Sequence, residues 1–179
     1  MQKIFDKILF LKDKYQSNIV FDTRLLNQND IFIGIGDGSK NGGLYYKEAL
    51  KKGSRLLIIN NKTINHEYII HTKNIQSFIK KFCKYLLSKY KGKVIAITGS
   101  VGKTTIKENI YHILSKNNFS VSRSYKNYNN LLGLQFSIMN INLQNKYSIF
   151  ELGINHPGEM KDLIKTLNPH YCLVTCIEN

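Results

Sequence analysis

One stretch of the sequence, residues 94–105, constrains the fold more than any other. Mostly apolar residues at positions 94–98 run into the short loop Gly99-Ser-Val-Gly102, which is followed at once by Lys103, Thr104 and Thr105. Glycines after an apolar strand let the backbone N–H groups curl around an anion, because no Cβ atom stands in the way. The pattern therefore predicts a strand, a phosphate-binding loop and a helix within a parallel α/β sheet.

The residue types in this loop suit a nucleotide phosphate. The helix N-terminus would add the positive end of its dipole, and Lys103 would reach the β and γ phosphates as a point charge. The Thr104 hydroxyl would ligate Mg²⁺. The strict signature G-x-x-x-x-G-K-[ST] fails, because its first glycine would fall at Ile97. An ordinary strand-to-helix turn with a solvated lysine is the alternative interpretation.

The rest of the chain also alternates between strand and helix patterns. Such alternation implies parallel sheets joined by right-handed crossovers, and the fold class is therefore α/β. A new strand–loop–helix unit starts near residue 89, which predicts two domains at 1–88 and 89–179. Helices are predicted at 1–15, 44–52, 75–90, 104–116, 131–141 and 157–167, strands at 19–21, 30–35, 55–60, 67–71, 94–98, 119–123, 147–152 and 171–177, and a glycine loop at 36–43.

Composition excludes several classes of protein. The net charge of +14 invites a nucleic-acid partner, but the excess is almost entirely lysine, spread along a chain with only three arginines. An AT-rich genome explains that bias equally well, so no nucleic-acid partner is expected. No segment has the length of a membrane span, and the N-terminus is an amphipathic helix and not a signal peptide. The chain is expected to stay in the cytoplasm without membrane insertion.

The cysteine pattern fits the same compartment. Cys83, Cys172 and Cys176 form an odd and sparse set without zinc-site spacing, which fits a reducing cytosol. Cys172 and Cys176 lie in an apolar run that is predicted to form a strand. Both are therefore expected to be buried structural thiols.

Four stretches, in order along the chain, resemble the Mur ligases. Residues 97–105, Ile-Thr-Gly-Ser-Val-Gly-Lys-Thr-Thr, resemble the shortened ATP loop of that family. Residues 127–133 resemble its asparagine-rich loop, and residues 151–159, Glu-Leu-Gly-Ile-Asn-His-Pro-Gly-Glu, resemble a segment typical of the member that adds D-alanyl-D-alanine. Asp22-Thr-Arg24 with the following residues 29–33 resembles the UDP-binding N-terminal domain, although residues 36–43 lack the aromatic and histidine residues often seen there.

The resemblance implies an ATP-dependent amide-bond-forming ligase of peptidoglycan synthesis. Such an enzyme uses ATP and Mg²⁺ to join D-alanyl-D-alanine to UDP-N-acetylmuramoyl-tripeptide through an acyl phosphate. Residues 1–88 would bind the UDP-sugar, and residues 89–179 would form the first part of the central ATP-binding domain. Because the family continues beyond position 179, the chain is expected to be incomplete and inactive alone, and the full enzyme to be a monomer. Two alternatives stay open: a Mur-type ligase that adds a diamino acid, and a non-catalytic nucleotide- or UDP-sugar-binding module.

The position of Glu151 indicates a cation site even apart from the resemblance. It ends an apolar strand, where a buried carboxylate is costly unless it meets a cation. The resemblance makes it a magnesium ligand, whereas a salt-bridged glutamate is the alternative. For Thr23, Arg24, Asn129, Asn130 and His156 the alternative is an ordinary loop or surface position. The predicted site residues are Lys103 and Glu151 for catalysis; Gly99, Ser100, Val101, Gly102, Lys103, Thr104, Thr105, Asn129 and Asn130 for ATP; Thr23, Arg24 and His156 for substrate; and Thr104 and Glu151 for the metal.

Overall fold

The chain folds into two compact units, each built on its own parallel sheet. The computed structural model describes residues 1–36, 41–125, 128–154 and 156–177. It divides the chain into Met1–Phe82 and Cys83–Asn179, so the division falls inside the helix Ile75–Lys89. Every strand pairing in both sheets is parallel, which confirms the predicted α/β class. The assignment of residues 1–88 and 89–179 to separate functions stays a prediction.

The first unit has a four-stranded sheet in the order β1-β2-β3-β4. Its two central strands, β2 and β3, are apolar and fully buried, as expected for parallel strands that are covered on both faces. Short 3₁₀ turns follow β1 at Thr23–Leu25 and precede α2 at Gly42–Tyr45. The elements are α1 (Gln2–Tyr15), β1 (Ile19–Val20), β2 (Ile31–Ile33), α2 (Tyr46–Lys51), β3 (Leu56–Ile59), β4 (Ile69–His71) and α3 (Ile75–Lys89).

The second unit has a four-stranded sheet in the order β6-β7-β5-β8. Its β5 lies between β7 and β8, so that the carboxyl ends of β5 and β7 are neighbours. In open parallel sheets this edge is where ligands bind. The elements are β5 (Lys93–Thr98), α4 (Lys103–Lys116), β6 (Val121–Arg123), α5 (Leu131–Met139), β7 (Tyr147–Glu151), α6 (Glu159–Leu167) and β8 (Tyr171–Val174).

The prediction that Cys172 and Cys176 are buried is wrong. Both thiols are exposed: Cys172 lies on β8, an edge strand whose four residues are all exposed, and Cys176 lies two residues beyond the end of that strand. An apolar run predicts a strand, but it does not predict what covers that strand. Cys83 is buried, and burial raises the pKa of its thiol to about 12.

Several predicted boundaries also differ from the structure by about two residues, as at the starts of β4 (69, not 67) and β6 (121, not 119) and at the ends of β2 (33, not 35) and α5 (139, not 141). Helix α6 begins at Glu159, two residues after Pro157, and β8 ends at Val174 instead of continuing to residue 177. Positions 37–40 of the glycine loop, together with Asn127 and Asn155, lie outside the described residues. Within the described part of the chain, no helix is both long and apolar enough to span a membrane.

Phe32 provides a test of the first unit's core. Its side chain is completely buried in β2, whereas Phe10 on α1 is 59% exposed. We expect Phe32→Ala to lower the free energy of unfolding by roughly 3–5 kcal/mol, because it leaves a cavity. The matched change Phe10→Ala should lower it by no more than about 0.5 kcal/mol. Urea unfolding followed by circular dichroism measures both, and equal losses would contradict the assignment of Phe32 to the core.

Candidate functional site

The predicted phosphate-binding loop, residues 99–102, connects the end of β5 to the start of α4; it is the glycine loop referred to from here on. Gly99 has a φ angle of 136° and Gly102 one of 83°. Residues that carry a Cβ atom rarely adopt such backbone angles. Gly102 occupies the N-cap position of α4, so no side chain caps the first backbone N–H groups of this helix. Uncapped N–H groups and the helix dipole both favour an anion at this position.

Lys103, the first residue of α4, lies across this loop. Its ammonium group donates hydrogen bonds to the carbonyl oxygens of Gly99 at 2.6 Å and Ser100 at 2.9 Å. A phosphate oxygen carries more negative charge than a peptide carbonyl and forms the stronger bond with an ammonium group. The lysine is thus held within the loop, at the position from which it could turn to a phosphate.

Glu151 is the acidic centre of the second unit. It is 2% exposed at the carboxyl end of β7, and the sheet register pairs it with Ile97 of β5. One carboxylate oxygen, Oε2, accepts a hydrogen bond from the Thr104 hydroxyl at 2.9 Å. The other, Oε1, accepts one from the Asn129 amide at 3.3 Å. The fold therefore brings three of the predicted site residues into direct contact: Thr104, Asn129 and Glu151.

The spacing of these oxygens can be tested against a magnesium site. Ligands that lie about 2.0–2.1 Å from an octahedral Mg²⁺ are about 2.9 Å apart when they occupy adjacent positions. The Thr104 hydroxyl and the Glu151 carboxylate have that separation, 2.9 Å. Among the described residues no group of three or more His, Cys, Asp or Glu side chains could hold a metal ion. The donor set therefore fits Mg²⁺ that takes its remaining ligands from phosphate and water.

Lys107 is a site residue that the sequence interpretation missed. Its side chain is 1% exposed, and its ammonium group lies 3.2 Å from Glu151 Oε2. The spacing could have indicated it, because Lys107 follows Thr104 by three residues, and residues with this spacing lie on the same face of a helix. The pattern alone did not show that this face of α4 points into the protein interior.

The segment after β8 forms the other wall of the loop. The backbone N–H of Ser100 donates to the Cys176 carbonyl at 2.6 Å. The Thr175 hydroxyl donates to the Val101 carbonyl oxygen and lies 3.3 Å from the carbonyl oxygen of Thr98. A Cβ atom at Gly99 would collide with the Thr175 hydroxyl and would lie 2.8 Å from the Cys176 carbonyl oxygen. Gly99 is therefore required for space as well as for its φ angle.

The remaining predicted residues of this unit lie around the loop. Asn130 caps α5, because its side-chain oxygen accepts a hydrogen bond from the Gly133 N–H at 2.8 Å. Val101 and Thr105 are exposed on the loop and on the first turn of α4. His156 is exposed as well, and its backbone N–H donates to a Glu159 carboxylate oxygen at 3.2 Å.

The predicted substrate residues of the first unit lie on the 3₁₀ turn after β1. Thr23 is buried, and its carbonyl oxygen accepts a hydrogen bond from the Lys52 ammonium at 2.7 Å. Arg24 is exposed and pairs with Asp22 at 2.6 Å. Hydrogen bonds from the side chain and backbone of Arg24 hold the pKa of Asp22 below its usual value. The guanidinium and the carboxylate thus both face solvent at the carboxyl end of the sheet.

The fold and the loop define a phosphate-loop protein of the parallel α/β class. Residues 97–179 match the Mur ligase middle domain. Over 163 residues the chain is 35% identical to the UDP-N-acetylmuramoyl-tripeptide–D-alanyl-D-alanine ligase of Rickettsia prowazekii, a match that covers 90% of this chain and 36% of that relative. The second unit therefore carries the middle domain of the Mur ligase family, and the likeness to a ligase of that family extends over most of the chain.

Further relatives agree with this assignment. The corresponding ligase of Borreliella burgdorferi is 38% identical over 106 residues, which cover 59% of this chain and 23% of the relative. The crystal structure of the MurF ligase from Thermotoga maritima in complex with ADP superposes with a TM-score of 0.68 at 29% identity, and the match covers 84% of this chain and 35% of that one. The chain thus spans about a third of the length of the Rickettsia prowazekii and Thermotoga maritima relatives.

Two glycines with positive φ angles, 136° at Gly99 and 91° at Gly158, test the wall of the loop. Gly99→Ala and Gly158→Ala both place a Cβ atom at a positive φ angle, but only at Gly99 does that atom collide with neighbours. We expect Gly99→Ala to reduce the free energy of unfolding by about 1–3 kcal/mol more than Gly158→Ala does. Urea unfolding of the two variants measures the difference. Equal losses would show that Thr175 and Cys176 do not pack on the loop.

Proposed function

We propose that this chain is the nucleotide- and UDP-sugar-binding part of a ligase that joins D-alanyl-D-alanine to UDP-N-acetylmuramoyl-tripeptide with ATP. The observation that carries the proposal is the 2.9 Å contact between Thr104 and Glu151 directly behind the glycine loop. The 35% identity to a ligase with this printed activity supports the choice of reaction. Rival members of the class, such as a ligase that adds a diamino acid, would use the same loop and differ in the amine they accept.

In this proposal the second unit binds the phosphates of ATP. The backbone N–H groups of residues 99–102 and the N-terminus of α4, with Thr105 in its first turn, would surround the phosphate oxygens, and the Ser100 N–H would exchange the Cys176 carbonyl for phosphate. Lys103 leaves the carbonyl oxygens of the loop for the β and γ phosphates, and Asn130 lies beside them at the start of α5. Thr104 and Glu151 would hold Mg²⁺, which would neutralise phosphate charge. Asn129 orients the Glu151 carboxylate through its amide.

The reaction that we propose proceeds in two steps. The terminal carboxylate of the tripeptide attacks the γ phosphorus of ATP, which gives an acyl phosphate and ADP. The amine of D-alanyl-D-alanine then attacks the acyl carbon, and inorganic phosphate leaves as the amide bond forms. The contribution of these residues is positioning and charge neutralisation, which supply most of the catalysis in phosphoryl transfer.

The first unit would bind the UDP part of the substrate. Thr23 and Arg24 follow β1, and ligands of parallel sheets bind beyond the carboxyl ends of the strands. The exposed guanidinium of Arg24 can contact a diphosphate or a uracil oxygen through its planar fork of donors. His156, exposed before α6 in the second unit, would contact the substrate peptide or its phosphate.

Lys103 provides the direct test of the phosphate loop. We expect Lys103→Ala to weaken ADP binding about tenfold or more, because a charge-assisted hydrogen bond contributes roughly 1.5–3 kcal/mol. Lys116→Ala removes an exposed lysine from the last turn of the same helix and should leave the affinity unchanged. Isothermal titration of both variants measures the effect. Unchanged affinity in a folded Lys103→Ala variant would refute the loop assignment.

Arg24 provides a separate test of the UDP site. In the Lys103→Ala background, where the phosphate loop is disabled, we expect the chain to bind UDP in preference to ADP. Adding Arg24→Ala should weaken UDP binding about fivefold or more, since a charged contact to the nucleotide is lost. Lys51→Ala, an exposed lysine of the same unit, serves as the control. Equal affinity for UDP and ADP, or no effect of Arg24→Ala, would count against this site.

A further inference from the structure

We propose that Lys107 is an internal cation that neutralises Glu151 in the nucleotide-free site, so that Mg²⁺ enters together with nucleotide phosphates and not alone. This inference rests on the proposed function, because it concerns the same site. Lys107 would contact neither the nucleotide nor the metal. Its charge would make the site attract nucleotide phosphates in preference to Mg²⁺ alone. Lys107 is thus a positioning residue that acts through Glu151.

The burial of Lys107 is the first observation. Its side chain is 1% exposed, and lysine is almost never fully buried unless it has a charged partner. The partner is Glu151, whose side chain is 2% exposed and whose Oε2 atom lies 3.2 Å from the Lys107 ammonium. Glu108, 3.8 Å away, is a weaker partner, because it is 35% exposed and also pairs with Arg123 at 2.8 Å. Lys107 and Glu151 therefore form the buried ion pair of this unit.

The second observation is which carboxylate oxygen the lysine approaches. Lys107 and Thr104 both contact Oε2, and the hydroxyl and Oε2 are the two oxygens with the spacing of a magnesium site. A magnesium ion bound to Glu151 Oε2 would therefore compete with the Lys107 ammonium for the same oxygen atom. Because both charges are positive, the lysine opposes a bare divalent ion at this position.

The charge balance of the empty site follows from these contacts. Two ammonium groups, Lys103 and Lys107, lie with the buried carboxylate of Glu151 around the loop and the start of α4, while the charge of Glu108 is balanced by Arg123. Such a site is positive, so it attracts the phosphates of a nucleotide and repels Mg²⁺ on its own. When phosphates arrive, their negative charge exceeds that of the lysines, and the cation becomes favourable next to Thr104 and Glu151.

This account predicts effects of opposite sign for one substitution. Lys107→Met keeps an unbranched side chain only one atom shorter and removes its charge. We expect it to tighten the binding of Mn²⁺ in the absence of nucleotide by about fivefold or more, a typical coupling between charged sites. It should weaken the binding of ADP in the absence of divalent ions by a similar factor. A residue that only supports the fold would weaken both ligands together.

The experiment uses the whole chain. Electron paramagnetic resonance measures free and bound Mn²⁺, and isothermal titration with a chelator present measures ADP. Lys116→Met, which removes a charge from the exposed end of the same helix, should change neither affinity. Lys107→Met combined with Glu151→Gln should lose the gain in Mn²⁺ affinity. If Lys107→Met does not fold, Lys107→Gln makes the same comparison, because it keeps a hydrogen-bond donor without the charge.

The results separate this inference from the proposed function. Opposite shifts for Mn²⁺ and ADP support it. Unchanged Mn²⁺ affinity, a joint loss for both ligands, or failure of both Lys107 variants to fold would overturn it and leave Lys107 with a purely structural role. If the unmodified chain does not bind ADP, or binds it without any contribution from Lys103, the proposed function itself fails.

Discussion

The parallel pairing of β5 with β7 determines where the chemistry of this chain lies. The register places Ile97 opposite Glu151, two residues before the glycine loop begins at Gly99. The carboxylate is thereby carried to the base of the loop, beside the first turn of α4. Without this pairing, Glu151 would be a buried charge with no hydroxyl, amide or ammonium to satisfy it, which is one of the most unfavourable arrangements in a protein interior.

The contacts of Glu151 link the elements around it. Thr104 and Lys107 reach it from α4, and Asn129 reaches it from the loop before α5, while its own backbone N–H donates to Ser124 after β6. Through its side chain and its backbone N–H, Glu151 thus joins the helix of the phosphate loop to two further segments of the unit. Since these polar contacts share one buried carboxylate, loss of one partner changes the others, and their effects on stability and binding should not be additive.

The fold could be predicted largely from the sequence, because strand and helix patterns alternate along the chain with clear turn residues. The helix Ile75–Lys89 and the unit from β5 to α4 agree closely with their predicted limits. The burial of β8 could not be predicted, because burial depends on which strand lies at the edge of the sheet. Within the site, the loop and Glu151 carry residue types that indicate chemistry, whereas Lys107 could not be distinguished from the many solvated lysines of this chain. Asn130 was predicted to bind ATP, but the contact that the structure shows for its side chain is the cap on α5, a structural role that any loop asparagine can have.

The most direct test of this account is a crystal structure of the chain with ADP and Mn²⁺. The anomalous signal of manganese locates the metal independently of the nucleotide. We expect the β phosphate inside the loop formed by residues 99–102, Lys103 turned from the loop carbonyls to the phosphate, and the manganese peak in contact with the Thr104 hydroxyl and the Glu151 carboxylate. A nucleotide bound away from this loop, or a metal that contacts neither oxygen, would contradict the central claim that Thr104 and Glu151 form the metal-binding side of a nucleotide-phosphate site.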